Sequence, residues 1–112
     1  MSNLVNPNVS ENPLSPADMQ ARAQEVAVHL SMMSNANRLM VLCHLLDGEM
    51  TVGALLGRLE LSQSALSQHL AKLREADLVA TRRDGQTIHY RIADPRVMDM
   101  MAALYKIYCQ PE

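Results

Sequence analysis

Beyond residue 14, apolar residues recur at the three- and four-residue spacing of a helix face, and this pattern predicts five helices. The first helix starts after Ser15, a favourable N-cap residue, with Pro16 at its first helical position. Its apolar positions form one stripe: Met19, Ala23, Val26, Ala27, Leu30 and Met33. We therefore expect a helix that packs through a single face.

The next three helices are short and closely spaced. The second covers residues 35–48 and is apolar on almost every side, which is typical of a buried central helix. The third covers residues 52–61, and after a tight break the fourth covers residues 63–77. Two short helices joined by a tight turn are typical of a helix-turn-helix.

Between residues 79 and 92 the pattern changes from helical spacing to alternation. The alternation surrounds Asp84 and Gly85, and an Asp-Gly pair between alternating segments predicts a β-hairpin. Asp94 and Pro95 then begin a last helix. Its apolar side comprises Val97, Met98, Met101, Tyr105 and Tyr108.

The whole pattern predicts a mainly α protein with a β-hairpin wing. This is a winged helix-turn-helix, in the order of four helices, two strands and a fifth helix. A chain of 112 residues with 48% hydrophobic content suits one compact domain, over residues 15–112. Residues 1–14 are rich in Asn and Pro and predict a disordered N-terminal arm.

Composition and charge narrow the environment and the partners. The N-terminus has neither the basic start nor the apolar run of a signal peptide. No stretch approaches the roughly 20 apolar residues of a membrane span, so we expect a cytoplasmic protein with no membrane partner. The net charge is −2, but residues 62–91 carry five basic side chains against three acidic ones. This local excess points to nucleic acid.

The fourth helix presents small polar groups opposite its apolar residues, as a helix that enters the major groove requires. The candidate recognition-helix contacts are Gln63, Ser64, Ser67, Gln68, His69 and Lys72. In the hairpin, Arg82, Arg83 and Gln86 are placed to reach the DNA backbone or minor groove. Each set alone is typical of a solvated surface, but their order along the chain favours double-stranded operator DNA as the partner.

The strength of DNA binding bears on the oligomeric state. One protomer offers about four phosphate contacts, too few for tight binding at physiological salt, whereas a dimer doubles that number. We therefore expect a homodimer through the apolar faces of the first and last helices. Its recognition helices would lie roughly 34 Å apart on a palindromic operator.

The block SNANRLMVLCHLLDGEMTVGALLGRLELSQSALSQHLAKLREADLVATRRDGQTIHYRI is similar to the signature of the ArsR-type winged-helix repressors. The resemblance extends over nearly the whole chain after the arm. It implies a DNA-binding transcriptional repressor. One departure is Ala36, where many members have Pro ahead of the Arg that corresponds to Arg38.

Metal binding is common in this family, through cysteines in the third helix or through acid and His pairs on the last helix. Neither set occurs in this sequence. The histidines are scattered without ligand spacing, and we expect structural or solvent-facing roles for His29, His44, His69 and His89. We therefore predict no metal and no cofactor.

The two cysteines lie 66 positions apart. Taken alone, Cys43 is typical of a small core residue and Cys109 of an inert surface thiol. The resemblance implies more, because both positions match the cysteine pair of the ArsR branch that responds to hydrogen sulfide and reactive sulfur species. It implies that persulfide or polysulfide joins the two thiols in a disulfide or polysulfide bridge, and that the bridged form releases DNA.

Three alternatives remain open from the sequence. The thiols could sense oxidants in general through sulfenic acid, the fold could serve an anti-repressor, and the helix-turn-helix could bind protein rather than DNA. An enzyme is not expected, because the chain has no phosphate-binding Gly loop, metal cluster or acid–base pair.

Overall fold

The computed structural model describes residues 15–109. The helices are α1 (Pro16–Met33), α2 (Ala36–His44), α3 (Val52–Leu56), α4 (Gln63–Glu75) and α5 (Pro95–Cys109). The strands are β1 (Met50–Thr51), β2 (Val79–Asp84) and β3 (Thr87–Ile92). This order confirms the mainly α, winged helix-turn-helix fold, with α3 and α4 as the helix-turn-helix and β2 and β3 as the wing. The predicted arm, residues 1–14, lies outside the described residues.

Each helix starts beside a side-chain oxygen that accepts a backbone N–H. The accepting residues are Ser15, Asn35, Thr51, Ser62 and Asp94. A cap of this kind typically contributes about 1 kcal/mol, because it satisfies a donor that the first helical turn leaves free. The caps therefore define the helix starts, and they could be predicted from sequence.

The sheet contains one strand more than the predicted hairpin. β1 pairs antiparallel with β3, with Met50 opposite Tyr90, so that the strand order is β1-β3-β2. A strand of two residues is too short to produce an alternating pattern, and the sequence therefore gave no signal for it. β1 attaches the wing to the segment that leads into α3.

The hairpin turn lies one residue later than predicted. Asp84 pairs with Thr87, so the two central residues of the turn are Gly85 and Gln86 rather than Asp84 and Gly85. Gly85 has a φ of +65°, in the left-handed region where glycine carries no steric penalty. A glycine at the first central position is typical of a type II′ turn.

Two helices end earlier than predicted. α3 stops at Leu56 instead of residue 61, because Gly57 follows it and the chain bends before Ser62. α2 is followed by a single 3-10 turn, Leu45–Asp47, and the chain then reverses at Gly48, whose φ is +140°. That backbone conformation is open essentially to glycine alone.

The core lies between α2, α4, the sheet and α5. Its fully buried side chains are Val41, Leu42, Leu45, Leu55, Leu66, Leu70, Leu73, Leu78 and Val97. The apolar residues predicted to face inward from the fourth helix are therefore buried, with Ala65 only half-buried. No helix within residues 15–109 is long and apolar enough to cross a membrane.

The first helix is buried less than its apolar stripe suggests. Of that stripe only Met33 is buried, whereas Met19 and Leu30 are exposed. α5 likewise exposes Ile107 and Tyr108, whose exposed fractions are 70% and 80%. In the single chain, therefore, two helices carry apolar surface without a covering element.

Candidate DNA interface and thiol groove

The polar face of α4 is exposed as predicted. The side chains of Gln63, Ser64, Ser67, Gln68 and Lys72 are all exposed, and the three buried leucines of the helix lie on the opposite side. α4 contacts both α2 and β2, which hold it rigidly in the domain. The helix thus presents short donors and acceptors of the kind that read base edges.

His69 differs from the other candidates on this helix. It is half-buried, and its Nδ1 is buried with no hydrogen-bond partner among the described residues. Burial lowers the pKa of His69, and the charges of Arg38 and Lys72 lower it further. The structure therefore places His69 partly against α2, apart from the exposed face.

A cleft of about 400 Å³ separates α4 from the wing. Its lining includes Ser67 from the candidate set, together with Arg74 of α4 and Tyr90 of β3. Sequence analysis did not select Arg74, although its position seven residues after Ser67 places it on the same helix face. The cleft adds a cationic and a phenolic group to the surface beside the recognition helix.

The two wing arginines point to opposite sides of the sheet, because successive residues of a strand alternate. Arg82 lies opposite His89, and Arg83 lies opposite Ile88. Arg82 forms an ion pair with Glu49, with its Nη2 2.9 Å from Oε1. The hydrogen bond from Arg82 lowers the pKa of Glu49, and the same contact raises the pKa of Arg82.

Arg83 and Gln86 remain exposed at the end of the hairpin. The only polar contact of the Arg83 guanidinium within residues 15–109 is a long one, from Nη1 to the Gly85 carbonyl at 3.4 Å. Gln86 occupies the second central position of the turn. Both side chains are therefore available to a partner, whereas Arg82 is engaged within the protein.

An ion network joins α1 to the start of α5. Arg96 donates from Nη2 to Asp94 at 2.7 Å and to Glu25 at 2.9 Å. His29, which is buried, lies 3.6 Å from the Asp94 carboxylate. Sequence analysis missed this network, because its members are distant in the chain. It links α1, through Glu25 and His29, to the start of α5.

Acid should weaken this network. The hydrogen bonds from Arg96 lower the pKa of Asp94 to about 2, from the 3.8 of an unperturbed Asp. Because the folded-state pKa is depressed, the stabilisation is complete above about pH 4 and is lost as the pH falls towards 2. We expect Asp94→Asn to unfold with less pH dependence in that window than the wild type, in urea titrations followed by circular dichroism. Asp99→Asn, an exposed control within α5, the helix that Asp94 caps, should keep the wild-type slope.

The two thiols line the same apolar groove. It lies between α2 and α5, with a volume of about 210 Å³. The other lining residues are Leu39, Met40, Leu46, Met101, Leu104, Tyr105 and Tyr108. Cys43 is half-buried against the core, and Cys109 is exposed as the last residue of α5 rather than just beyond it. Neither cysteine forms a disulfide in this structure.

The described residues contain no cluster of three or more His, Cys, Asp or Glu side chains that could hold a metal. The chemistry of this part of the molecule thus consists of a polar helix, an arginine-bearing wing and an apolar groove with two thiols. Together with the fold, these features define a winged helix-turn-helix of the kind that transcription regulators use.

Comparison with known proteins gives the same class. Residues 35–81 match the family model described as bacterial regulatory protein, arsR family. The transcriptional activator HlyU of Vibrio cholerae is 45% identical over 104 residues, which cover 93% of this chain and 96% of HlyU. The biofilm growth-associated repressor of Agrobacterium fabrum is 45% identical over 105 residues, covering 94% of this chain and 88% of the repressor.

Solved structures agree. The repressor BigR from Xylella fastidiosa is similar with a TM-score of 0.81 at 41% identity, covering 86% of this chain and 98% of BigR. Reduced HlyU from Vibrio cholerae gives a TM-score of 0.77 at 48% identity, covering 83% of this chain and 98% of HlyU. The chain belongs to the ArsR family of bacterial transcriptional regulators, which confirms the resemblance inferred from its sequence.

Proposed function

We propose that the protein is a homodimeric repressor that binds operator DNA while Cys43 and Cys109 are reduced. Reactive sulfur species bridge the two thiols, and the bridged form releases the DNA. The observation that carries this proposal is that both cysteines, 66 positions apart in the chain, line one groove between α2 and α5.

DNA binding is supported by the exposed polar face of α4 and by the free end of the wing. Gln63 and Gln68 can pair with adenine edges, and Ser64 and Ser67 with bases or phosphates. Lys72 suits a phosphate. His69, being half-buried, would contribute by packing or through its exposed edge.

A second copy of the chain is the proposed cover for the apolar surfaces of α1 and α5. Met19 and Leu30 of α1 and Tyr105, Ile107 and Tyr108 of α5 are all more than half exposed in the single chain. Such surfaces favour an interface, and a symmetric dimer supplies the doubled phosphate contacts that DNA binding needs.

The sulfur chemistry balances without a further oxidant. One cysteine thiolate attacks the terminal sulfur of an organic persulfide, RSSH, and forms a cysteine persulfide while RS⁻ leaves. The second thiolate attacks the cysteine-bound sulfur of that persulfide and expels HS⁻, which leaves a disulfide. The dithiol loses two electrons, and the organic persulfide is reduced to RSH and H₂S. If both cysteines are first converted to persulfides, the same displacement leaves three sulfur atoms in the bridge.

A bridge would connect the dimer surface to the DNA-reading helix. Cys109 ends α5, and Cys43 lies on α2, which contacts α4. In the loop-entropy model, closing a loop of this length is worth about 4 kcal/mol. Allosteric coupling typically needs only about 1 to 3 kcal/mol. That stabilisation is measured against the unfolded chain, so the bridge would change DNA affinity through the difference in its strain between the DNA-bound and the released arrangements of the folded dimer.

The test is operator binding by the wild type, Cys43→Ser and Cys109→Ser. Duplexes are first selected from a random library with the reduced wild-type protein, and affinities are then measured by fluorescence anisotropy with and without an organic persulfide. We expect persulfide to weaken wild-type binding by about 5- to 150-fold. Both serine variants should stay bound, since neither can form the bridge.

Leu104→Met serves as a matched control, because it alters the groove by a volume-conserving swap and leaves both thiols in place. It should respond like the wild type. If both serine variants still release DNA, the trigger lies outside the thiol pair. If the wild type binds no duplex in a salt-dependent way, the helix-turn-helix serves protein interaction instead.

Mass spectrometry separates reactive sulfur from general oxidants. Persulfide should link the two cysteines, by a disulfide or with added sulfur, whereas peroxide should leave them largely unmodified. Equal bridging and equal DNA release with peroxide would instead favour the general oxidant sensor.

An anti-repressor is the second candidate, because HlyU, one of the similar proteins, is described as a transcriptional activator. A reporter gene placed behind the selected operator distinguishes a repressor from an anti-repressor. We expect its expression to rise when the gene for this protein is deleted.

A further inference from the structure

We propose that Glu49 holds Arg82 away from DNA phosphates, so that Arg83 is the one of these two wing arginines that contacts a phosphate. The inference rests on the proposed DNA binding and assigns a role to a residue outside the recognition helix and wing. Glu49 directly precedes β1, the strand that sequence analysis missed.

The contact between the two side chains occupies the Nε–Nη2 edge of the Arg82 guanidinium, which carries two of its five N–H donors. Its Nε lies 3.1 Å from both carboxylate oxygens of Glu49, and its Nη2 donates to Oε1 at 2.9 Å. Paired donation of this kind is geometrically specific, because the planar guanidinium matches the carboxylate. A phosphate offers the same acceptor geometry, so Glu49 and DNA compete for the same donors.

Strand register places the two wing arginines in different surroundings. His89 of β3 pairs with Arg82 on one side and with Thr51 of β1 on the other, so these three residues lie on one face of the sheet. Arg83 shares the opposite face with Tyr90, and Tyr90 lines the cleft beside α4. Arg83 is therefore on the side of the recognition helix, whereas Arg82 is on the far side with Glu49.

The charges around Glu49 strengthen the competition. Besides the hydrogen bond from Arg82, which is the largest cause, the charge of Arg91 lowers the pKa of Glu49 and keeps its carboxylate ionised at neutral pH. Asp84 is a second acidic group near Arg82. Removing the Glu49 charge both frees the Arg82 guanidinium and leaves this face of the wing more positive.

The experiment measures how DNA affinity depends on salt, because each phosphate contact adds about 0.9 to the slope of log K against log salt concentration. The probes are the selected operator duplex and a random duplex of about three helical turns. We expect Arg83→Gln to reduce the slope by about one per protomer and Arg82→Gln to leave it unchanged. Glu49→Gln should increase it by about one per protomer and tighten binding to the random duplex at least about fivefold.

A double variant and a matched control complete the test. Adding Arg82→Gln to Glu49→Gln should cancel the gain, since the freed guanidinium is its source. Asp47 and Glu49 line one small pocket before β1. Asp47→Asn removes one negative charge from that pocket without releasing Arg82, and it should change the slope much less. Because the Glu49–Arg82 pair is largely exposed, all variants should fold, which thermal unfolding verifies.

Two results would overturn the inference while DNA binding itself stands. One is an equal loss of slope for Arg82→Gln and Arg83→Gln. The other is a Glu49→Gln variant that behaves like Asp47→Asn or binds DNA more weakly than the wild type. Absence of salt-dependent binding by the wild type would overturn the proposed function, and this inference with it.

Discussion

We expect Leu42→Ala to lower the free energy of unfolding by about 3 to 5 kcal/mol. Leu42 is completely buried in α2, at the centre of the core. The substitution removes apolar contacts and leaves a cavity that the surrounding leucines cannot fill without moving. Since a domain of this size has a total stability of only about 5 to 15 kcal/mol, the variant should lose a large fraction of it. Urea titration followed by circular dichroism measures the change.

Met40→Ala is the matched control, because Met40 lies on the same helix and is 44% exposed. It should lower the free energy of unfolding by less than about 1.5 kcal/mol. Equal effects of the two substitutions would mean that α2 is not the central buried helix.

Arg38→Met should destabilise the protein by about 2 to 3 kcal/mol. Arg38 is only 9% exposed, and its guanidinium donates from Nε to the Met32 carbonyl at 2.8 Å and from Nη2 to the Ser31 carbonyl at 3.4 Å. These acceptors lie in the last turn of α1, whose carbonyls lack a partner within the helix. The Ser31 carbonyl also accepts from the N–H and the hydroxyl of Ser34, so the bond to the Met32 carbonyl is the main one that Arg38 supplies. Methionine keeps the apolar part of the side chain but has no N–H donors. The loss in free energy of unfolding therefore measures what the hydrogen bonds of Arg38 contribute.

The pKa of His69 gives a second test of the Arg38 guanidinium and its surroundings. The charge of Arg38 lowers the pKa of His69, after burial as the larger cause. Arg38→Met should therefore raise the pKa of His69, which NMR titration of the imidazole protons can follow. Arg74→Met, on the exposed part of α4, should change the free energy of unfolding by less than about 0.5 kcal/mol. An unchanged His69 pKa in Arg38→Met would contradict this account.

Local signals were sufficient to predict most of the fold. Helix caps such as Asn35 and Thr51 accept from backbone N–H groups two or three residues away. The start of the helix is therefore determined by a short stretch of sequence and can be predicted from it. The hairpin was found for the same reason, although its turn is displaced by one residue. The truncation of α3 at Gly57 reflects a low helix propensity that the apolar pattern concealed.

The features that sequence reasoning missed depend on residues that only folding brings together. Glu49 and Arg82 are 33 positions apart, and they meet because β1 pairs with the wing. Buried His29 lies 3.6 Å from the carboxylate of Asp94, a residue 65 positions later in the chain. The thiol pair was suggested by resemblance alone, and the shared groove is a property of helix packing that spacing in the chain does not contain.

The position of Cys109 would have a kinetic consequence for the proposed bridge to Cys43. It occupies the final described turn of α5, and helix ends open and reclose at far lower free energy than a core segment. Under the proposed function, fraying of this last turn would let the exposed sulfur approach Cys43 while the buried leucines stay packed. Closing the bridge would then need local opening of α5 and no unfolding of the core.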